Sequence, residues 1–221
     1  MAKLAVITGA NRGIGLALAK QLSAKGYEVI GICRESSTEL EGLAARVITG
    51  IDVTDQACIE RAATELKGKQ IDLLINNAGL LDDNVLGSIE LDSIRAMMEI
   101  NAYAPLKVTE ALLPNLASGS KVALITSRMG SIADNTSGGR YGYRASKAAL
   151  NAFGKSLAVD LAPQGISVVI LHPGYVATRM VGYRGMIEPD DSARGLVERI
   201  EGLSLQNSGS FWHSNGEELP W

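Results

Sequence analysis

KLAVITGANRGIG, Lys3 to Gly15, passes from a β-branched apolar run into three glycines at positions 9, 13 and 15. The run has the composition of a buried strand, and the residues from Gly13 to Ala24 have the apolar spacing of a helix. Between them, Gly9 suits a sharp turn that needs a positive φ. Gly13 and Gly15 carry no Cβ, so backbone can approach a phosphate and the helix can pack closely on the strand. The helix start then presents unpaired N–H groups and a partial positive charge to a pyrophosphate. Three glycines occur in many turns; the strand–loop–helix order is what points to a dinucleotide. The spacing is not G-x-G-x-x-G, and no lysine follows as a nucleotide-hydrolysing loop would require.

Similar apolar runs recur along the chain, each followed by a helical pattern. They are YEVIGIC at Tyr27–Cys33, ARVITG at Ala45–Gly50, IDLLINN from Ile71, KVALITS from Lys121, ISVVIL from Ile166 and GSFWHS from Gly209. Strands apolar throughout, alternating with amphipathic helices, imply a parallel sheet covered on both faces. Right-handed crossovers make this a doubly wound α/β fold, a Rossmann-type sheet of about seven strands. Neither a Gly/Ser/Pro linker nor a fixed repeat divides the 221 residues, so residues 1–221 are expected to form one domain.

A net charge of −3, with basic residues scattered singly, gives no reason to expect nucleic acid or an anionic membrane as partner. The apolar runs fall well short of the roughly 18 residues of a membrane span. The first residues lack a signal-peptide core, and the two cysteines, Cys33 and Cys58, form no CxxC pair. A reducing, cytoplasmic location is the expectation. His172 has no second His or Cys close in sequence to suggest a metal site.

Further motifs lie beyond the glycine loop. NNAG, Asn76–Gly79, ends the fourth strand pattern, Ser127 lies just past the fifth, and YRASK begins sixteen residues later at Tyr143; HPGYVAT, His172–Thr178, follows the sixth. With T-G-x-x-x-G-x-G at Thr8–Gly15, this ordered set resembles the classical short-chain dehydrogenase/reductase family. The tail GSFWHSNGEELPW is similar to the ending of a smaller carbonyl-reductase-like and cell-signalling (C-factor-like) subgroup. The resemblance implies hydride transfer between a nicotinamide cofactor and a small-molecule ketone, aldehyde or alcohol. It also implies a catalytic tetrad of Asn101, Ser127, Tyr143 and Lys147.

Two tyrosines precede the lysine in GGRYGYRASKAAL, Gly138–Leu150. A helix advances about 100° per residue, so a spacing of four returns within roughly 40° and a spacing of six lands roughly 240° round. Tyr143 therefore shares a face with Lys147, and Tyr141 does not. Carbonyl reduction leaves an alkoxide that needs a proton, and a free phenol, titrating near about 10, is a weak acid for neutral pH. An ammonium some 4–5 Å away favours phenolate by a few kcal/mol at an effective dielectric of about 20. Ser127 ends a strand where ligand-contacting groups collect. By resemblance it bonds the substrate carbonyl and helps hold Tyr143. It lacks the G-x-S-x-G elbow of a hydrolase nucleophile. Asn101 is an awkward residue inside the pattern MMEINAYAPLKVTEALL. Taken alone it signals a kink before Pro105; by resemblance it holds a water linking the lysine to solvent.

The resemblance also assigns a cofactor set. It comprises Gly9, Asn11, Arg12, Gly13, Ile14 and Gly15 in the loop, Asp52 and Val53 at the adenine, and Asn77, Ala78 and Gly79 along the ribose. Tyr143 and Lys147, then Pro173, Gly174, Val176 and Thr178, hold the nicotinamide end. Specificity follows from the second strand's end, where a carboxylate would bond a ribose 2′-hydroxyl and repel a 2′-phosphate. CRES offers Cys33 and then Arg34 instead. Arg34 and Arg12 converging on one phosphate would favour NADP(H) over NAD(H), with NAD(H) as the second choice.

RMVGYRGMIE, 179–188, is the expected substrate loop. Its glycines predict mobility without cofactor, and its length predicts an open cleft walled by Met180, Val181, Tyr183, Met186 and Ile187. Pro189 with Asp190 and Asp191 reads as a helix start. The resemblance further implies a homodimer or homotetramer built on Asn101–Leu116 and Tyr143–Leu161. The rival functional reading is a dinucleotide-binding signalling or regulatory protein with vestigial catalysis, against which the complete tetrad argues.

Overall fold

Neighbouring residues of the first strand face opposite cores: Leu4 and Val6 pack into one apolar cluster, Ala5 and Ile7 into the other. The same alternation holds in Val122–Ile125 and Val168–Leu171. A strand so sandwiched must be apolar at every position, which is why these runs lack polar alternation. In the computed structural model, which describes residues 2–221, the strands are β1 (Leu4–Thr8), β2 (Glu28–Ile32), β3 (Arg46–Ile48), β4 (Ile71–Asn76), β5 (Leu116–Ile125), β6 (Ser167–His172) and β7 (Ser210–His213). They form one seven-stranded sheet in the order β3-β2-β1-β4-β5-β6-β7, every named pair parallel.

Helices α1 (Gly13–Ala24), α2 (Thr38–Leu43) and α7 (Pro189–Glu201) contribute to one core, and α3 (Gln56–Glu65), α5 (Ala104–Ala111) and α6 (Tyr141–Leu161) to the other, with α4 (Leu91–Met98) packed on α6. The fold is the single α/β domain of Rossmann type that the strand pattern implies. The strands are laid down outward in one direction from β1 and in the other from β4, so the crevice at the carboxyl ends of these two is where such sheets hold ligands.

β5 begins five residues earlier than KVALITS suggests. Leu116 pairs with Ile71 and Lys121 with Leu73, so the intervening residues bulge. Ser120 closes the bulge by donating to the Ile71 carbonyl at 2.6 Å. α7 begins at Pro189 with two acids in its first turn, as its sequence indicates. None of the helices is long and apolar enough to cross a membrane, among the described residues.

Candidate active site

The glycine loop closes tightly on the NNAG turn. Gly9 (φ 66°) and Gly13 (φ 55°) occupy the left-handed region, and a Cβ at Gly15 would lie 2.2 Å from the Gly9 carbonyl oxygen. The Thr8 hydroxyl accepts from the Asn77 and Ala78 backbone N–H groups, at 3.0 and 3.2 Å. The Asn77 amide donates to the carbonyls of Thr8 and Gly9, at 3.0 and 3.1 Å. Asn77 thus rivets the loop with its side chain, a bond that its expected place along the ribose did not indicate. α1 has no side-chain cap at Arg12 and no acid in its first turn. The glycines let loop, NNAG turn and helix pack this closely, and the leading N–H groups of α1 are open to an anion, so this cradle fits the phosphates of a dinucleotide. Thr178 lies over it, with Cγ2 3.3 Å from where a Gly13 Cβ would be.

Around the cradle, Arg12 and Arg34 are both exposed, and neither is in an ion pair among the described residues. Asp52 accepts from the Thr54 N–H and hydroxyl; these bonds, with Arg34 nearby, hold its carboxyl below the usual range. Thr8, Val53 and Ala78 line a common crevice. Cys33 does not face outward: it packs in the core with Leu40, and burial raises its thiol pKa, with Glu41 adding to the effect.

Tyr143 and Lys147 lie one turn apart on α6, both buried, with the lysine Nζ 5.9 Å from the phenol ring centre. Burial is the dominant influence on each. It raises the Tyr143 pKa, against the Ser127 hydroxyl and the Arg140 guanidinium, which pull it down. It lowers Lys147 to about 7. The expected one-way coupling, ammonium lowering phenol, is therefore not what the protein alone displays. Desolvation penalises both charged forms together, and the ammonium is only partly formed at neutral pH. The Lys147 Nζ is fixed by donation to the Ile125 carbonyl at 2.9 Å.

Ser127 follows β5 and caps a short 3-10 turn, its Oγ accepting from Met129 N–H at 3.2 Å. One lone pair is thereby engaged, and the hydroxyl acts on the Tyr143 phenol. Asn101 is fully buried in a π-helical turn, Glu99–Tyr103, between α4 and α5. The wide turn accommodates the awkward asparagine. Its amide donates to the Leu80 carbonyl (2.8 Å) and the Ser146 hydroxyl (3.0 Å), and its Oδ1 accepts from Leu80 N–H (2.8 Å). A Cβ on Gly79 would lie 3.1 Å from Asn101 Oδ1 and 3.8 Å from Lys147 Nζ, so these three residues meet at one point. Tyr141 opens α6 and is 41 % exposed, away from this cluster.

On the far side, the Pro173 carbonyl accepts from the hydroxyls of Ser192 (2.7 Å) and Ser214 (3.1 Å), two residues that no motif indicated. Gly174 (φ 89°) leaves room for Ile187, and Val176 bridges to Ile187. Residues 179–188, the expected substrate loop, are tied down by backbone bonds. Met186 and Ile187 N–H groups bond the Tyr175 carbonyl, Ala177 N–H bonds Ile187, and Tyr183 N–H bonds Thr178. Those backbone bonds leave the tips of Tyr183 and Met186 exposed at the rim.

His172 and His213 meet edge to face with ring centres 4.7 Å apart, and His172 Nδ1 is buried without a partner. Burial, then the neighbouring cations, pushes His172 down to about 3. Unfolding frees it to titrate near about 6.5. Between those values the unfolded chain binds the extra proton, so stability falls as pH drops from 6.5 towards 3. Urea unfolding of His172→Phe should show a shallower acid-side decline than wild type; identical slopes would refute this. No group of three potential metal ligands occurs among the described residues.

Comparison with known proteins agrees with this arrangement. The family model described as short chain dehydrogenase matches residues 3–186. The 1-hydroxy-2-glutathionyl-2-methyl-3-butene dehydrogenase of Rhodococcus sp. (strain AD45) is 40% identical over 222 residues, 98% of each chain. The C-signal protein of Myxococcus xanthus is 45% identical over 162 residues, 72% of this chain and 98% of that protein. The crystal structure of NADPH-bound carbonyl reductase from chicken fatty liver superposes with a TM-score of 0.91 at 33% identity, covering 100% of this chain and 99% of that one. A match confined to the glycine loop would show only dinucleotide binding. This one runs on through the Ser127 turn and YRASK into the loop after β6, so the chain belongs to the short chain dehydrogenase family of oxidoreductases.

Proposed function

We propose that the protein is an NADPH-dependent oxidoreductase that reduces a ketone or aldehyde to an alcohol, or runs the reverse, with Tyr143 as the acid/base. The observation that carries this reading is the burial of Tyr143 and Lys147 side by side, with Ser127 acting on the same phenol, at the mouth of a glycine cradle. The NADPH-bound carbonyl reductase of the same fold supports the cofactor, as do the two unpaired arginines beside the cradle. When bound, NADPH supplies the hydride.

The chain supplies the rest. Burial keeps the Tyr143 phenol protonated, ready to give its proton to the oxygen that becomes the alcohol. Ser127, its Oγ engaged by Met129 N–H, directs its own hydrogen to that oxygen and stabilises the developing charge. Lys147, held by the Ile125 carbonyl, lies where its protonated form favours the phenolate left after transfer. Asn101 holds Leu80 and the helix residue Ser146, and so fixes the wall beside Lys147. In the oxidative direction each proton movement reverses.

The test is cofactor consumption against a broad carbonyl panel, with NADPH and NADH side by side. The exposed Tyr175, Met180, Tyr183 and Met186 favour bulky carbonyls with modest selectivity. The named substrate of the Rhodococcus relative argues for including glutathionyl aldehydes and ketones. Turnover of one small ketone alone would refute the open cleft. Absence of turnover with every compound, beside tight NADPH binding, would favour the signalling reading that likeness to the C-signal protein suggests.

The exposed face of α6, with Ala145, Ala152 and Val159, is the surface we assign to a two-fold homo-oligomer. Sedimentation at micromolar concentration should show a dimer or tetramer; a monomer alone would refute it.

A further inference from the structure

α6 carries both Tyr143 and Lys147, yet nothing in its own sequence caps it. The residue at its N-cap, Arg140, makes no capping bond, and the first turn has no acid. Arg140 is also strained, with φ 50° and ψ 43°, one of two non-glycine residues at positive φ among those described. α2 and α3, by contrast, are capped by Ser37 and Asp55 within their own segments. Strain of this kind persists only where the surroundings over-determine the backbone.

The surroundings are a strip of chain far away in sequence. Asn84, 1% exposed, accepts from Arg140 N–H through its backbone carbonyl at 2.9 Å and from Gly142 N–H through its side-chain Oδ1 at 3.3 Å. Its amide nitrogen donates to Ser93 Oγ at 3.3 Å, and Ser93 donates in turn to Asp82 at 2.6 Å. Asp83 takes the Arg140 guanidinium at 2.8 Å. Gly142 is glycine for a reason of space: a Cβ there would lie 2.7 Å from Asn84 Oδ1 and 2.5 Å from Met97 Cε. The strip is fixed at its other end by Asn101, which holds both polar atoms of the Leu80 backbone.

We propose that Asn84 is a positioning residue for the reaction: it caps the catalytic helix from outside and sets where the Tyr143 hydroxyl lies relative to Ser127. The inference rests on the Tyr143 assignment above. Helix starts fray when their N–H groups lack partners, and Tyr143 is the third residue of α6. A shift of the first turn moves the phenol, while Lys147, one turn further in and bound to Ile125, stays. The loss therefore falls on proton transfer, and the cofactor cradle, built on other elements, is spared.

Steady-state kinetics with NADPH and the fastest carbonyl of the panel, with cofactor titration and a pH profile, tests this in the whole protein. Asn84→Ala should lower kcat by about tenfold to a hundredfold with NADPH Kd within about twofold, as expected for misplacement of one catalytic group. Asn84→Asp keeps an acceptor for Gly142 and should recover most of kcat. Its carboxylate should move the alkaline limb of the profile upward, because negative charge opposes ionisation of a phenol that otherwise faces Ser127, Lys147 and Arg140. A merely structural role would lower thermal stability, kcat and cofactor affinity together, with no displaced limb on rescue; that result would overturn the proposal. So would an unchanged kcat in Asn84→Ala. Should Asn84→Ala fail to fold, Ser93→Ala decides: a fall in kcat in the same direction supports the proposal, and wild-type kcat overturns it. Tyr143→Phe separates the two claims. Full activity there removes the acid assignment and this inference together. An inactive Tyr143→Phe beside a fully active Asn84→Ala removes the inference alone.

Discussion

Replacing Tyr143 by phenylalanine should reduce turnover by roughly a hundredfold or more, the range for losing a positioned proton donor, while NADPH affinity stays nearly unchanged. The ring is buried and the substitution removes only the hydroxyl, so packing is kept. Tyr141→Phe should retain most activity, since Tyr141 is exposed at the helix start and turned away from Lys147. Parallel kinetics on the two variants decides the matter. Loss in Tyr141→Phe with retention in Tyr143→Phe would reverse the assignment.

The second large effect is expected at the ribose. Arg12→Ala with Arg34→Ala should weaken NADPH binding by roughly 2–4 kcal/mol, the scale for losing charge-assisted contacts to a phosphate, and leave NADH binding little changed. Both side chains are exposed beside the cradle and held by no acid among the described residues, so alanine disturbs no packing. A carboxylate at Cys33 would add repulsion of the phosphate. Because the thiol packs with Leu40 in the core, that substitution also buries a charge and would confuse stability with specificity. Calorimetric titration of both cofactors is the measurement. Equal affinity of the wild type for NADPH and NADH would remove the basis of the claim.

Periodicity and local geometry made much of this protein legible without coordinates. Short, largely apolar runs rich in β-branched residues suit strands buried on both faces, and their alternation with helices points to a parallel, doubly wound sheet. The Lys147 spacing singled out Tyr143 over Tyr141 because both tyrosines share the lysine's helix, where sequence distance converts directly into angle. The glycine loop was readable for the same reason: its constraint is the backbone conformation of adjacent residues.

Other features depend on residues brought together from distant parts of the chain, and these only the tertiary structure decided. Asn84 caps a helix 58 positions away, and Asn101 reaches Ser146 across 45. Ser192 and Ser214 converge on the carbonyl of Pro173 from separations of 19 and 41. Their partners are mostly backbone groups, which every residue possesses and which leave no mark on side-chain type. The direction of the Tyr143 shift was also beyond the sequence. Spacing shows that an ammonium is near, but the balance of attraction against desolvation depends on how completely the fold excludes water from both groups.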